Sequence, residues 1–233
     1  MTRLTSFSKF LKLWFQANGR SLLYLILGVY IPLQIFAVLA LKIWGLEGGL
    51  SWDVTLITAI HQSADASLDR AASWLTHLGS AKIVAPFTLT LVPILVVQKR
   101  WRSLIYLVMT LGGGGALNVV AKTIWRRARP SLWEGSYPIP SDFSFPSGHA
   151  MTSFLLVTAL TILTWKTRWN PLVIILGVVY VVTIAWTRVY LGVHYPSDIV
   201  AGWMLALAWA IGISVLVKPM LSPSKVKGEA PHH

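Results

Sequence analysis

The sequence predicts an all-α integral membrane protein, with six transmembrane helices and an amphipathic segment on the outer side. Three observations carry that expectation. Of the 233 residues, 55% are hydrophobic and only 12% charged, whereas about 25% charged is typical of soluble domains. Apolar stretches near 21–44, 81–98, 103–121, 148–165, 171–188 and 198–217 approach the roughly 20 residues that cross a bilayer. Basic residues gather in alternate connections between those stretches, as the positive-inside rule asks of a multi-pass chain.

Taken in order, residues 1–20 hold Arg3, Lys9, Lys12 and Arg20 among Phe7, Phe10, Leu11, Leu13, Trp14 and Phe15. That is the composition of a short amphipathic helix on the cytoplasmic membrane surface. The stretch at 21–44 is too long for a signal-peptide core and has no clear small-residue cleavage site, so it is expected as a retained span. Residues 46–80 carry Glu47, Asp53, Asp65 and Asp69, with Leu50, Val54, Ile57 and then Leu68, Ala71, Trp74, Leu75 and Leu78 at helical spacing. The pattern predicts an outer amphipathic segment broken around 63–67, on which His61 and His77 read as polar-face residues. Five further spans complete one domain over 21–217. Residues 218–233, with Lys218, Lys225 and Lys227, form a basic cytoplasmic tail whose terminal His232 and His233 are set aside as metal ligands.

Six crossings with the N-terminus inside put twelve of the twenty Lys and Arg on the cytoplasmic side, and every acid but Glu229 on the other. This arrangement obeys the positive-inside rule, places both termini in the cytoplasm and suits the inner (plasma) membrane. It also absorbs most of the net charge of +12, which leaves no case for nucleic acid as a partner. The absence of Cys excludes disulfides, thiolate metal sites and cysteine nucleophiles. Five of the eight outer cations fall in two short stretches: Lys122, Arg126, Arg127 and Arg129, then Arg188.

Counting crossings brings His149 and His194 to the same surface, with the 122–147 loop beside them. The gathered set is Lys122, Arg129, Ser147, His149, Arg188, His194 and Asp198. Cations are costly inside lipid, so residues at span ends must face a polar cavity or reach the headgroups. Arg126 and Arg127 are expected to reach the headgroups. Within the motifs only Asp198 could serve a hard cation, and Glu134 and Asp142 of the loop have no evident pairing. Two His and one Asp could hold zinc, but not comfortably among three cations. A phosphate fits better: guanidinium groups engage its oxygens in pairs, and Ser147 with the Gly148 amide, at a helix start, supplies further donors. Asp198 follows His194 by four residues and can hold one ring nitrogen, leaving the other free to attack phosphorus. His149 remains to protonate the departing oxygen. No cofactor or metal is expected.

These residues resemble a known pattern. "KTIWRRARP" matches K-x6-RP through Lys122, Arg129 and Pro130; "PSGH" at 146–149 is a second motif; "TRVYLGVHYPSD" matches SR-x5-H-x3-D through Arg188, His194 and Asp198, with Thr187 where Ser is usual. The chain is identified as similar to the type 2 phosphatidic acid phosphatase superfamily, whose helical core is shared with vanadium haloperoxidases and glucose-6-phosphatase. The resemblance implies metal-independent hydrolysis of a lipid phosphate or diphosphate through a phosphohistidine. His194 would be the nucleophile, Asp198 its orienting partner and His149 the general acid. Lys122, Arg129, Ser147, Gly148 and Arg188 would hold the phosphoryl group. Undecaprenyl diphosphate heads the candidate substrates, before phosphatidylglycerol phosphate and phosphatidate.

Two other activities use the same residues: phosphoryl transfer to a second lipid, and non-catalytic transport of a lipid phosphate. Transport is disfavoured, because no repeat relates the two halves and the polar residues gather at one interface. Outside the motifs, the GGGG run at 112–115 reads as close helix packing or a kink, and Asn118 as a possible cavity residue. Trp44, Trp101, Trp125, Trp165 and Trp169 lie at span ends and read as interfacial anchors.

Overall fold

The computed structural model describes residues 21–46, 48–133 and 137–220, with isolated positions between 9 and 19. The amphipathic helix expected over 1–20 and the basic tail beyond residue 220 therefore fall largely outside the described residues, as does Glu134. Among the described residues the chain forms eight helices: α1 (Ser21–Ile43), α2 (Ser51–His61), α3 (Ala66–His77), α4 (Ala81–Val97), α5 (Trp101–Trp125), α6 (Gly148–Leu163), α7 (Asn170–Tyr190) and α8 (Pro196–Val217).

Helices α1, α5, α7 and α8 are each long and apolar enough to cross a membrane. Helix α4 meets that test only together with α3, from which it is bent by 43°. At 16 residues, α6 spans only about 24 Å. Its place in the bundle explains why it need not be longer: it packs against α4, α5, α7 and α8, so protein rather than lipid covers most of its flank. Large apolar side chains line the outside of the bundle instead, among them Leu41, Leu89, Val119, Ile175, Val179 and Leu216. Such a surface would be a liability in water and suits a lipid environment.

Local chemistry sets the breaks. Pro32 lacks the N–H that would continue the α1 ladder, and a π-helical turn at Ile26–Tyr30 precedes it. Between α2 and α3 the chain opens at Asp65, whose carboxylate caps α3 by accepting the Ser67 and Leu68 N–H groups at 2.7 and 3.0 Å. The break thus lies where the sequence suggested. Helix α5 continues through the glycine run without interruption, and its two middle glycines serve close packing. A Cβ at Gly114 would collide with Leu155 of α6, and one at Gly113 with Trp209 of α8. Trp44, Trp101, Trp165 and Trp169 are exposed at helix ends, whereas Trp125 departs from the anchor reading and packs on Phe36 and Phe145.

Candidate active site

The candidate residues meet at one end of the bundle, where α5 and α7 finish and α6 and α8 begin. Helix α5 runs a turn beyond its expected end, which keeps Lys122 helical. Arg126 then adopts a left-handed conformation, φ 45°, which closes α5 and redirects the chain. Pro196 suits the first turn of α8, and Asp198 accepts the Tyr195 N–H at 3.0 Å. Gly202 lets the next turn of α8 lie against the start of α6: a Cβ there would stand 2.9 Å from the Ser147 carbonyl oxygen.

His194 is buried in the short connection between α7 and α8. Its Nδ1 lies 3.3 Å from Asp198 Oδ2, and its Nε2 lies 2.9 Å from Arg129 Nη1. A guanidinium can only donate, so Nε2 accepts and the ring proton sits on Nδ1, directed at the carboxylate. Burial, and then the charges of Arg129, Arg188, Lys122 and His149, hold the His194 pKa well below its ordinary value. The imidazole is thus neutral with its proton on Nδ1, as a nitrogen nucleophile requires, while in this structure the Nε2 lone pair accepts the Arg129 hydrogen bond.

Lys122 and Arg129 converge on Asp142. Lys122 Nζ donates to Asp142 Oδ2 at 2.7 Å and also to the Phe143 carbonyl. Arg129 donates from Nη2 to Asp142 Oδ1 at 2.5 Å, from Nε to the Asp142 carbonyl at 2.9 Å and from Nη1 to the Val193 carbonyl at 2.7 Å. Burial alone would raise the Asp142 pKa, but its bonds to the two cations outweigh that and hold it below the usual carboxylate value.

Arg188 is fully buried; its Nη1 donates to Thr76 Oγ1 at 2.8 Å, and the Tyr137 ring lies 5.6 Å from the guanidinium carbon. Its Nε has no partner among the described residues. A buried guanidinium N–H left open is a strong donor for an incoming oxyanion. His149 stands in the first turn of α6, half-buried, at the same end of the bundle as His194.

Some expected donors are already engaged. The Ser147 hydroxyl oxygen caps α6, 3.5 Å from the Ala150 N–H, and the Ser147 N–H donates to the Asp198 carbonyl at 3.0 Å. Only its hydroxyl proton remains for a ligand. Gly148 permits close packing, since a Cβ would stand 3.1 Å from Asn118 Oδ1. Asn118 is buried and donates to the Pro146 carbonyl at 3.2 Å, bracing the PSGH turn. Thr187 donates to the Ile184 carbonyl at 2.7 Å, so at the position where Ser is usual the hydroxyl binds its own helix.

Arg127 overturns its sequence reading. It does not reach for headgroups: it is buried, with Nη1 donating to Asp198 Oδ1 at 2.6 Å and Ser197 Oγ at 2.7 Å, and Nη2 to Asp53 Oδ2 at 3.0 Å. Asp53, expected on an amphipathic surface, is fully buried and also accepts the Ser197 N–H at 2.8 Å and the Leu50 N–H at 3.1 Å. It joins the starts of α2 and α8 and is part of the support behind His194. Arg126, by contrast, is exposed. Nothing in the local sequence separates these two adjacent arginines: the left-handed turn at Arg126 decides which of them faces inward.

The comparisons with known proteins bear on the family. The sequence pattern described as "PAP2 superfamily" matches residues 103–220. An undecaprenyl-diphosphatase of Sulfolobus acidocaldarius is 32% identical over 202 residues, covering 84% of this chain and 88% of that protein. Phosphatidylglycerophosphatase B of Bacillus subtilis is 31% identical over 174 residues, covering 65% and 84% respectively. The crystal structure of a transmembrane PAP2 type phosphatidylglycerolphosphate phosphatase from Bacillus subtilis superposes with a TM-score of 0.68 at 26% identity, covering 87% of this chain and all of that one. Motifs, helical core and relatives agree: the chain belongs to the PAP2 superfamily.

Proposed function

We propose that the protein is a membrane lipid phosphatase that hydrolyses a terminal phosphoryl group at the outer membrane face, through a phosphohistidine on His194. The observation that carries this reading is the double engagement of one buried imidazole, with Nδ1 toward Asp198 and Nε2 toward Arg129. In the first step Nε2 attacks phosphorus, the P–N bond forms, and the P–O bond to the leaving group breaks. His149 gives its proton to the departing oxygen. In the second step His149 takes a proton from water, whose oxygen attacks phosphorus; the P–N bond breaks and inorganic phosphate leaves. Lys122, Arg129, Arg188, the Ser147 hydroxyl and the Gly148 amide at the start of α6 bear the charge that builds on the phosphoryl oxygens.

The relatives act, by their names, on undecaprenyl diphosphate and phosphatidylglycerophosphate. Of these, undecaprenyl diphosphate is the leading substrate proposed for this chain. Six crossings with both termini cytoplasmic complete the reading. They rest on the charge distribution and on counting α6, together with α4, as crossings. The test is phosphate release in detergent from a panel of lipid phosphates and diphosphates, with and without EDTA. The wild-type protein is expected to act in both conditions, with the diphosphate preferred, and His194→Ala to release nothing. Wild-type rates in that variant would remove His194 as nucleophile, and loss of activity in EDTA would remove the metal-free mechanism.

A further inference from the structure

Asp142 lies in none of the three motifs, yet its carboxylate occupies the place where the two motif cations converge. One oxygen is bound by Lys122 at 2.7 Å and the other by Arg129 at 2.5 Å. A phosphoryl group held by the same two side chains must take those donors from it. The bonds are strong by geometry, charge-assisted on both oxygens. The Asp142 side chain is nevertheless 55% exposed, so it can move outward without disturbing packed core. Arg129, tied to Asp142, also covers the His194 nitrogen that would attack phosphorus.

We infer that Asp142 is a built-in competitor of the anion site, a residue that sets how strongly any anion must bind before it can enter. The inference rests on the proposed role of Lys122 and Arg129 in holding phosphate. Its chemistry suits the setting. An anionic membrane surrounds such a site with phosphodiester headgroups, each carrying one negative charge. A bare Lys–Arg cradle would take them up. An internal carboxylate lowers the apparent affinity of every competing anion by the fraction of time the cradle stands open. A headgroup that gains little from the cradle is thereby kept out. A terminal phosphoryl group, which also gains the open Arg188 Nε, still displaces the carboxylate.

The signature is a common factor. In Asp142→Asn, inhibition constants for orthovanadate and for dioleoylphosphatidylglycerol in uncharged mixed micelles are expected to fall together, each by about tenfold. Asp142→Glu, which restores the carboxylate, should return both toward wild type. No fall, a rise, or falls differing severalfold between the two anions would overturn the inference. Hydrogen exchange on the wild-type protein tests the same point without a substitution. Orthovanadate should speed exchange of amides in 137–144 as the carboxylate is released, and slower or unchanged exchange would count against it. Arg188→Gln separates this from the functional reading. If that variant does not weaken orthovanadate inhibition, the cradle itself is misassigned; if it does while Asp142→Asn changes nothing, only the competitor role fails.

Discussion

Arg127 and Arg129 are separated by a single alanine and approach the same histidine from opposite sides. Arg127 lies behind it, bonded to the buried Asp198, Ser197 and Asp53 and, at 3.3 Å, to the part-buried Gly48 carbonyl. Arg129 lies in front, bonded to His194 Nε2 and to the half-exposed Asp142. The difference between them is whether a ligand can take over the partners. Behind the ring, no ligand can replace Asp53 or Asp198, so the contacts are permanent and position the carboxylate that orients the imidazole. In front, phosphate oxygens can replace the Asp142 oxygens one for one. The same residue type thus serves as scaffold at one position and as binding group two residues later.

The largest effect should come from the rear. Arg127→Ala leaves Asp53 and Asp198 buried without their shared cation, and removing one partner of a buried ion pair costs about 3–5 kcal/mol. The expected outcome is a large drop in thermal stability in detergent, read by scanning calorimetry, together with loss of phosphate release. Arg127→Lys should recover much of the stability and little of the rate, because an ammonium cannot span Asp53, Ser197 and Asp198 at once. Full recovery of both would mean that the charge alone matters.

The front should respond in the opposite sense. Arg129→Ala removes a donor to the reacting phosphoryl group and should lower kcat by about 10²–10³, with a much smaller change in melting temperature than Arg127→Ala. Its partner Asp142 is exposed enough to be solvated when released. Measuring both quantities on both variants checks the comparison directly. Equal loss of stability from the two substitutions would erase the distinction.

The contrast also marks how far the sequence was legible. Lys122, Arg129, His149, Arg188, His194 and Asp198 could be brought together from motif spacing and from counting crossings, because each lies at the end of an apolar run. Arg127, Asp53 and Asp142 could not. Arg127 is diverted inward by the left-handed Arg126, a conformation that nothing in "WRRARP" announces. Asp53 sits among residues spaced like a surface helix, and only the packing of α2 on α7 and α8 buries it. Asp142 is a loop acid whose partners lie 13 and 20 residues back. The helices show the same limit. The apolar runs marked where the long helices lie, with α5 extending past its run at both ends, but the close approach of the short α6 depends on Leu155 filling the space at Gly114, a contact between two runs.

A smaller effect tests the hydroxyl that links the rear network. Ser197 Oγ accepts from Arg127 Nη1 and donates to Asp53 Oδ2 at 2.6 Å. Ser197→Ala removes both bonds but keeps the Arg127–Asp53 and Arg127–Asp198 pairs, so stability should fall by about 1–3 kcal/mol, the cost of buried groups losing a partner. The rate should change far less than in Arg127→Ala. A rate loss as large as that of Arg127→Ala would make the hydroxyl, and not the cation, the element that positions Asp198.

The smallest predicted effect is on protonation, at the front of the ring. After burial, Arg129 is the foremost cause of the low His194 pKa. The folded state therefore binds fewer protons at His194 than the unfolded chain, where the ring titrates near about 6.5. Keeping the ring neutral stabilises the fold fully above that pH, and the contribution falls away as pH drops through the lower folded value. Arg129→Gln removes one opposing charge and should raise the folded pKa, narrowing that window from its acid end. Burial remains, so the value should stay below that of a free imidazole. Nitrogen-15 NMR of labelled histidines, with His194 assigned by its absence in His194→Gln, reads the shift. A downward shift in Arg129→Gln would mean that the guanidinium had been stabilising the protonated ring, which would reverse the assignment of Nε2 as acceptor.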